Sequence, residues 1–183
     1  MKLKPTYKLV LLLLISLAGI KNGICQYSEY EIKAAYIFNF AKFLDWPATN
    51  PNKDTIILAI YNNDPFGIVL EKTMVGRKAN GKDWKIIRTN NKKELEKCNI
   101  VFFSDIEKSE LLKILEQLKN KPLITIGDEI IDFCEIGGTI NFTPQFSEYQ
   151  FEINNEVAKS HRIIISPKLL LLAKIVSKTE DEF

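Results

Sequence analysis

His161 is the only histidine in the 183-residue sequence, so it is the first residue to consider as a catalytic base or a metal ligand. A usual zinc site needs several histidine or cysteine ligands, and the sequence supplies no second histidine. A single histidine beside a strand more often packs or lies at the surface than titrates in a reaction. The glycines Gly127 and Gly137-Gly138 lack the spacing of a phosphate loop or a dinucleotide fingerprint. We therefore predict no catalytic residues, no metal and no cofactor.

Three aspartates follow predicted strands and are the candidates for a ligand pocket. Asp64, Asp105 and Asp128 each stand at or just after the end of an apolar segment. In open α/β sheets, ligands bind beyond the carboxyl ends of the strands, which favours one pocket shared by these side chains. The alternative is that they are turn and helix-cap residues, because aspartate commonly occupies such positions. Both interpretations stay open from the sequence.

Two cysteines, Cys98 and Cys134, are expected in the mature chain. In an oxidising compartment they can form a disulfide, but the bond requires Cα atoms within about 7 Å of each other. The sequence alone does not give the distance between these two residues. A disulfide and two buried thiols are therefore both open.

Residues 1–25 have the layout of a secretory signal peptide. A lysine-containing start precedes the apolar run 9–20, which is too short for a membrane-spanning helix of about 20 apolar residues. We predict cleavage between Cys25 and Gln26, a location outside the cytoplasm, and a single domain over residues 26–183.

Removal of the predicted signal peptide changes the sign of the net charge. The segment contains four lysines and no acidic residue, so 25 basic residues against 23 acidic ones become 21 against 23. The formal charge falls from +2 to −2. No basic field remains that would favour nucleic acid as a partner.

Apolar segments of strand length alternate with short helical patterns and predict a largely parallel sheet. Such an alternation is typical of a sheet that is covered by helices on both faces. Two later strand segments have only residues 143–148 between them, which suits an antiparallel hairpin. We therefore predict a single three-layer α/β domain with a mostly parallel central sheet and an antiparallel hairpin near the C-terminus. The seven predicted strand segments are 55–61, 84–88, 100–103, 123–126, 137–142, 149–153 and 163–165.

The first predicted helix begins after Ser28 and carries a candidate partner-binding surface. At 100° per residue Phe38 falls outside the apolar stripe, on the polar side of the helix with Lys42. Since interface energy concentrates in such aromatic residues, we predict that Phe38 and Lys42 contact a protein partner. The alternative is a helix that packs on both sides within one domain. A closing helix, predicted over 169–176, is apolar nearly all round and is either deeply buried or partly covered by a partner.

Several blocks of the mature sequence resemble the YfiR family of periplasmic proteins. They occur in the family's order and span nearly the whole mature chain. The blocks are Glu29-Tyr30-Glu31-Ile32-Lys33-Ala34-Ala35-Tyr36-Ile37-Phe38-Asn39-Phe40-Ala41-Lys42-Phe43 with Trp46-Pro47, Asp64-Pro65-Phe66-Gly67, Cys98-Asn99-Ile100-Val101-Phe102, Leu123-Ile124-Thr125-Ile126-Gly127-Asp128, Phe133 with Gly137-Gly138, Phe151-Glu152-Ile153-Asn154 and Lys168-Leu169-Leu170-Leu171-Leu172-Ala173.

This resemblance implies regulation and not catalysis. By analogy with the family, the chain would bind and restrain the exterior sensor region of an inner-membrane diguanylate cyclase or sensor kinase, and so influence cyclic-di-GMP signalling. It would also form a homodimer and could be sequestered by an outer-membrane lipoprotein. The alternative from the aspartates is a periplasmic small-molecule-binding domain without catalytic activity.

The cysteines depart from the family's pattern, which has two intrachain disulfides. Cys98 resembles one member of the first pair and Cys134 one member of the second, but neither partner cysteine is present. Asn141 stands about where the partner of Cys134 would be. The redox behaviour that the resemblance implies is therefore not expected to carry over directly.

Overall fold

The computed structural model of the protein describes residues 28–48, 52–144 and 146–177. The predicted signal peptide, its cleavage point and the acidic C-terminal residues lie outside these ranges. Among the described residues, no helix combines the length and the apolar character that crossing a bilayer requires. The helices and strands are α1 (Glu29–Lys42), β1 (Leu44–Asp45), β2 (Thr55–Asn62), α2 (Val69–Met74), β3 (Asp83–Thr89), α3 (Lys92–Leu95), β4 (Ile100–Ser104), α4 (Lys108–Leu118), β5 (Ile124–Asp128), β6 (Ile140–Phe142), β7 (Phe151–Ile153), α5 (Asn155–Ser160), β8 (Ile164–Ile165), α6 (Pro167–Leu170) and β9 (Lys174–Ile175).

A seven-stranded sheet forms the centre of this part of the chain, in the order β3-β2-β4-β5-β6-β7-β9. The pairs from β3 across to β6 are parallel, and β6 pairs with β7 antiparallel. The predicted α/β class, the mostly parallel sheet and the hairpin are therefore confirmed. A small separate pairing joins β1 to β8, with Leu44 opposite Ile165.

The central strands are buried on both faces because their alternate residues enter two different cores. On β4, Ile100 and Phe102 belong to the core beneath α1, whereas Val101 and Phe103 belong to the core beneath α4. This explains the continuous apolar runs in the sequence, since period-two alternation with polar residues would leave one face in water. The two cores give the domain its three layers.

Helix α1 begins as its sequence predicts. The Ser28 hydroxyl accepts a hydrogen bond from the Glu31 amide, and the Glu31 carboxylate accepts one from the Ser28 amide. This capping box satisfies two of the amides that a helix start leaves without partners. The helix ends at Lys42, before Trp46-Pro47.

The prediction that Phe38 points outward is wrong. Its side chain is 2% exposed and packs against Trp84 of β3, with ring centroids 5.9 Å apart. The Arg77 guanidinium lies 3.7 Å and the Lys42 ammonium 4.4 Å from the ring centroid. Helix α1 is therefore covered on a second side by the edge strand β3 and the segment after α2, which its own periodicity does not reveal.

The closing helix is shorter than predicted. It ends at Leu170, and the chain then forms β9, which pairs parallel with β7. The sequence Ser166-Pro167 is typical of a helix start, and the Ser166 hydroxyl does cap a helix with Pro167 in its first turn. Within the apolar run, Leu169 and Ala173 are buried, whereas Leu171 and Leu172 are exposed.

Candidate functional site

The most unusual side chain among the described residues is Lys33, a buried lysine on the first half of α1. Its ammonium bonds to Asp128 Oδ1 at 2.5 Å, to Glu129 Oε1 at 3.0 Å and to Glu29 one helical turn earlier. The side chains of Lys33 and Asp128 are each only 7% exposed. Because Asp128 ends β5, these bonds fasten α1 to the carboxyl end of the sheet. We call Lys33, Glu29, Asp128 and Glu129 the lysine cluster.

The surroundings of Lys33 keep it protonated. Burial opposes its charge, but the hydrogen bonds to Asp128, Glu29 and Glu129 outweigh burial and hold its pKa above the usual value. The same ammonium lowers the pKa of Glu29. A lysine that acts as a nucleophile or base must lose its proton, so this arrangement opposes such chemistry.

The aromatic surroundings of the lysine cluster strengthen the ion pairs. The Lys33 ammonium lies 5.2 Å from the centroid of Tyr30 and 5.7 Å from that of Phe142. The Tyr30 hydroxyl donates a hydrogen bond to Asp128 Oδ2 at 3.1 Å, and burial together with the Asp128 charge raises its pKa to about 12. Ring faces attract cations and exclude water, and both effects favour the charged lysine in this position.

Three acids of the lysine cluster also have the spacing of a cation site. Oxygen atoms of Glu29, Asp128 and Glu129 all lie within 4.8 Å of one another. The Lys33 ammonium already lies against all three carboxylates, so a metal ion would have to displace it. The arrangement therefore favours a structural ion-pair network over a metal centre.

Two hollows border the same face of α1. A small cavity of about 80 Å³ lies beside the lysine cluster, between Lys33, Phe142 and Gln150. A shallow groove of about 430 Å³ runs along the outer side of the helix to Arg77. Ile32 and Tyr36 line both hollows. We call the larger one, lined by Glu31, Ile32, Ala35, Tyr36, Asn39, Thr73 and Arg77, the helix groove.

The three predicted pocket aspartates have different surroundings. Asp64 accepts a hydrogen bond from the Phe66 amide at 2.9 Å and forms an ion pair with Arg88 at 2.6 Å. Asp128 belongs to the lysine cluster. Asp105 is an exposed turn residue with a φ of 45°, and α4 begins after Glu107, without a side-chain cap. The helix-cap interpretation of Asp105 is therefore wrong, and the turn interpretation suits Asp64 and Asp105 better than a shared pocket.

Cys98 and Cys134 are free, buried thiols in the structure. Cys98 donates to the carbonyl of Glu94, and Cys134 donates to that of Thr139. Burial raises the pKa of Cys98 to about 11 and that of Cys134 to about 12. Since the thiolate is the reactive form, both are expected to be inert at neutral pH.

The comparison with protein families matches residues 30–174 to the family described as YfiR/HmsC-like. The chain belongs to the YfiR/HmsC-like family. The matched segment contains α1 and the lysine cluster except for Glu29, and it contains the central sheet except for Ile175, the last residue of β9. The resemblance found in the sequence blocks is therefore confirmed.

A solved structure supports the fold of this YfiR/HmsC-like chain. It is a conserved domain protein from Vibrio cholerae O1 biovar El Tor, matched with a TM-score of 0.52 at 13% sequence identity. The match covers 84% of this chain but only 61% of that one, so the chain spans less than two thirds of its neighbour. The comparison with curated proteins found no significant match.

In this member of the YfiR/HmsC-like family, Asn141 makes hydrogen bonds at the place where the sequence resemblance expects a cysteine. Its amide group accepts from the Ile130 amide at 3.2 Å and donates to the Ile130 carbonyl at 2.9 Å. These two bonds fix the segment between β5 and β6 to the start of the hairpin. They secure the segment that contains Cys134 without a covalent link.

The lysine cluster is the part of this site that the sequence did not predict. The spacing of Glu29 and Lys33 is that of an ordinary surface ion pair on a helix. Asp128 and Glu129 lie 95 and 96 residues further along the chain, so their approach depends on the sheet topology. The one available signal was the position of Lys33 directly beside the apolar residues 34–38 of the helix.

Proposed function

We propose that the mature chain is a periplasmic regulatory protein that binds and restrains the exterior sensor region of an inner-membrane signalling protein. The observation that carries this proposal is the match of residues 30–174 to the YfiR/HmsC-like family, which is associated with periplasmic regulation of diguanylate cyclases. The partner is a diguanylate cyclase or a sensor kinase. A homodimer and an outer-membrane lipoprotein partner belong to the same proposal.

The chemistry of the described residues suits a protein that acts by contact. The buried lysine is held protonated by three carboxylates, and the two thiols are buried with raised pKa values. These groups are therefore arranged to stabilise the fold. The secretory layout of residues 1–25 supports a location where the exterior part of a membrane protein is accessible.

We place the contact at the helix groove. Phe38 cannot be the anchor, because Trp84 and Arg77 cover its ring. Ile32, in contrast, is 44% exposed and stands between the helix groove and the small cavity. Arg77 and Lys42 place positive charge at one end of this face, so the matching partner surface is an apolar side chain flanked by acidic residues.

The first experiment is a pull-down from the native envelope with tagged mature protein, followed by identification of the retained membrane proteins. Recovery of one cyclase or sensor kinase, and binding of its purified exterior domain in calorimetry, supports the proposal. If no inner-membrane signalling protein is among the retained proteins, the proposed regulatory function is contradicted.

A matched pair of variants then tests the position of the contact. Ile32→Glu places a charge in the helix groove and is expected to weaken binding of the exterior domain at least tenfold. Leu112→Glu is the control, since Leu112 is 43% exposed but lies on α4, on the other side of the sheet. Equal binding by both variants contradicts a partner contact at the helix groove. Melting temperatures establish that both variants are folded.

A further inference from the structure

A second cavity lies on the opposite side of the sheet, at the amino end of β5. It has a volume of about 290 Å³ and opens between α4 and α5. This volume is close to the lower limit for small-molecule pockets, which range from about 300 to 1,000 Å³. Apolar side chains form much of its wall. They are Leu112, Leu115, Ile136 and Val157.

His161 is a buried residue in the wall of this cavity, and its side chain has a hydrogen-bond acceptor without a partner among the described residues. The residue is 4% exposed, and its Nδ1 atom lies 2.8 Å from the carbonyl oxygen of Leu123. A carbonyl oxygen only accepts, so Nδ1 carries the proton and Nε2 presents a lone pair. Within residues 28–48, 52–144 and 146–177, Nε2 has no hydrogen-bond partner. His161 is one of the residues that line the cavity, and this lone pair is its one side-chain acceptor for a ligand that donates a hydrogen bond.

The charges at the cavity favour a cationic donor. Glu116 pairs with Lys119 at 3.4 Å, which leaves their charges balanced. Glu156 also lines the cavity, and its carboxylate forms no ion pair with any residue of the described ranges. The remaining negative charge attracts an ammonium group and repels a carboxylate.

The other polar groups of the wall are already used within the fold. The Asn154 side chain donates to the Cys134 carbonyl at 2.8 Å and accepts from the amides of Glu156 and Val157. The Ser160 hydroxyl donates to the Val157 carbonyl at 2.7 Å. His161 is therefore the buried polar group that remains for a ligand.

We propose that this cavity binds a small, mainly apolar primary amine, which donates a hydrogen bond to Nε2 of His161 and lies near the Glu156 carboxylate. The apolar part of the ligand packs against the leucine, isoleucine and valine side chains. The cavity is separate from the lysine cluster, since Leu123 precedes β5 and Asp128 ends it, roughly 15 Å apart along the strand. The inference is independent of the proposed contact at the helix groove.

The first test is titration of the mature protein with 2-phenylethylamine while the imidazole ¹⁵N resonances are followed by NMR. His161 is the only histidine, so its Nε2 signal needs no assignment by mutation. A saturable shift of this signal is expected, together with weaker binding of phenylacetate, which replaces the ammonium by a carboxylate. No shift at millimolar amine, or equal binding of both probes, overturns the proposal.

Two variants locate the binding. Asparagine reproduces the Nδ1–H donor but not the Nε2 acceptor, so His161→Asn is expected to weaken amine binding about tenfold. Leu112→Trp fills the mouth of the cavity from an exposed position and is expected to do the same without touching His161. Ile131→Trp is the control, because Ile131 is exposed and does not line the cavity. Unchanged affinity in both cavity variants contradicts the assignment, and far-UV circular dichroism shows that each variant is folded.

Discussion

Lys33 shows how one side chain can serve both the fold and its surface. Its ammonium holds together three carboxylates that would otherwise repel one another at the carboxyl end of the sheet. The same residue borders the small cavity beside Ile32 and Tyr36. Any change at Lys33 is therefore expected to alter the stability of the domain first and the shape of this face second.

Lys33→Met is expected to destabilise the protein by about 3–5 kcal/mol, because it leaves Asp128 buried without a counter-charge. The free energy of unfolding in urea measures this. Combination with Asp128→Asn is expected to recover part of the loss, since the second change removes the unpaired charge. Additive losses in the double variant would contradict the proposed coupling. Lys33→Arg is the control, because it keeps the positive charge and replaces only the ammonium group.

At the scale of elements, the segment between β5 and β6 packs by means of two glycines. A Cβ atom on Gly138 would lie 2.2 Å from the ring of Phe133, and one on Gly127 would lie 2.8 Å from it. Phe133 is fully buried in the core beneath α4. The close approach of this ring, and for Gly127 also of the Asn141 side-chain oxygen, 2.7 Å from such a Cβ atom, explains why both positions are glycine.

Gly138→Ala is therefore expected to destabilise the domain by about 1–3 kcal/mol through overpacking. In a Phe133→Leu background the same substitution is expected to cost less, because the smaller side chain leaves room for the methyl group. Thermal unfolding of the four proteins of this double-mutant cycle measures the coupling. An equal cost in both backgrounds would show that backbone freedom, and not the ring, requires the glycine.

The elements also show where the sequence was sufficient and where it was not. The start of α1, the buried central strands and the hairpin were predicted, because each depends on residues close in the sequence. The prediction that Phe38 is exposed was wrong, since its ring packs against Trp84, which lies 46 positions further along the chain. The run 169–176 was assigned wholly to a helix, but a continuous apolar run suits a helix and a strand equally well. Only the pairing of β9 with β7 decides between the two.

For the whole molecule, the groups with shifted pKa values predict a stability maximum near neutral pH. The pKa of Lys33 is raised, so its contribution is present below about pH 10 and is lost as the pH rises through its folded value. The contribution of Tyr30 to stability is also lost as the pH rises above about 10, because its pKa is raised and its neutral form is favoured in the folded state. The pKa of Glu29 is lowered, so its contribution is lost as the pH falls through the folded value.

Between about pH 5 and pH 8, below the range in which the thiols of Cys98 and Cys134 titrate in the unfolded chain, His161 is the group expected to make stability depend on pH. Burial lowers its pKa, and the hydrogen bond to Leu123 offsets burial only in part. The unfolded chain, with a histidine pKa of about 6.5, then binds a proton before the folded chain does. Stability is therefore expected to fall as the pH decreases from about 6.5, by at most about 1.4 kcal/mol per pH unit for one proton.

Urea unfolding of the protein and of His161→Asn from pH 8 to pH 5 measures this contribution. All other titrating groups are common to both proteins, so their effects cancel in the difference between the two free energies of unfolding. This difference is expected to be constant above pH 7.5 and to move in favour of the variant as the pH falls. Parallel curves down to pH 5 would show that His161 does not disfavour its proton in the folded state. In the proposed periplasmic location, which follows the external pH more closely than the cytoplasm does, this buried imidazole would link the stability of the domain to the surroundings of the cell.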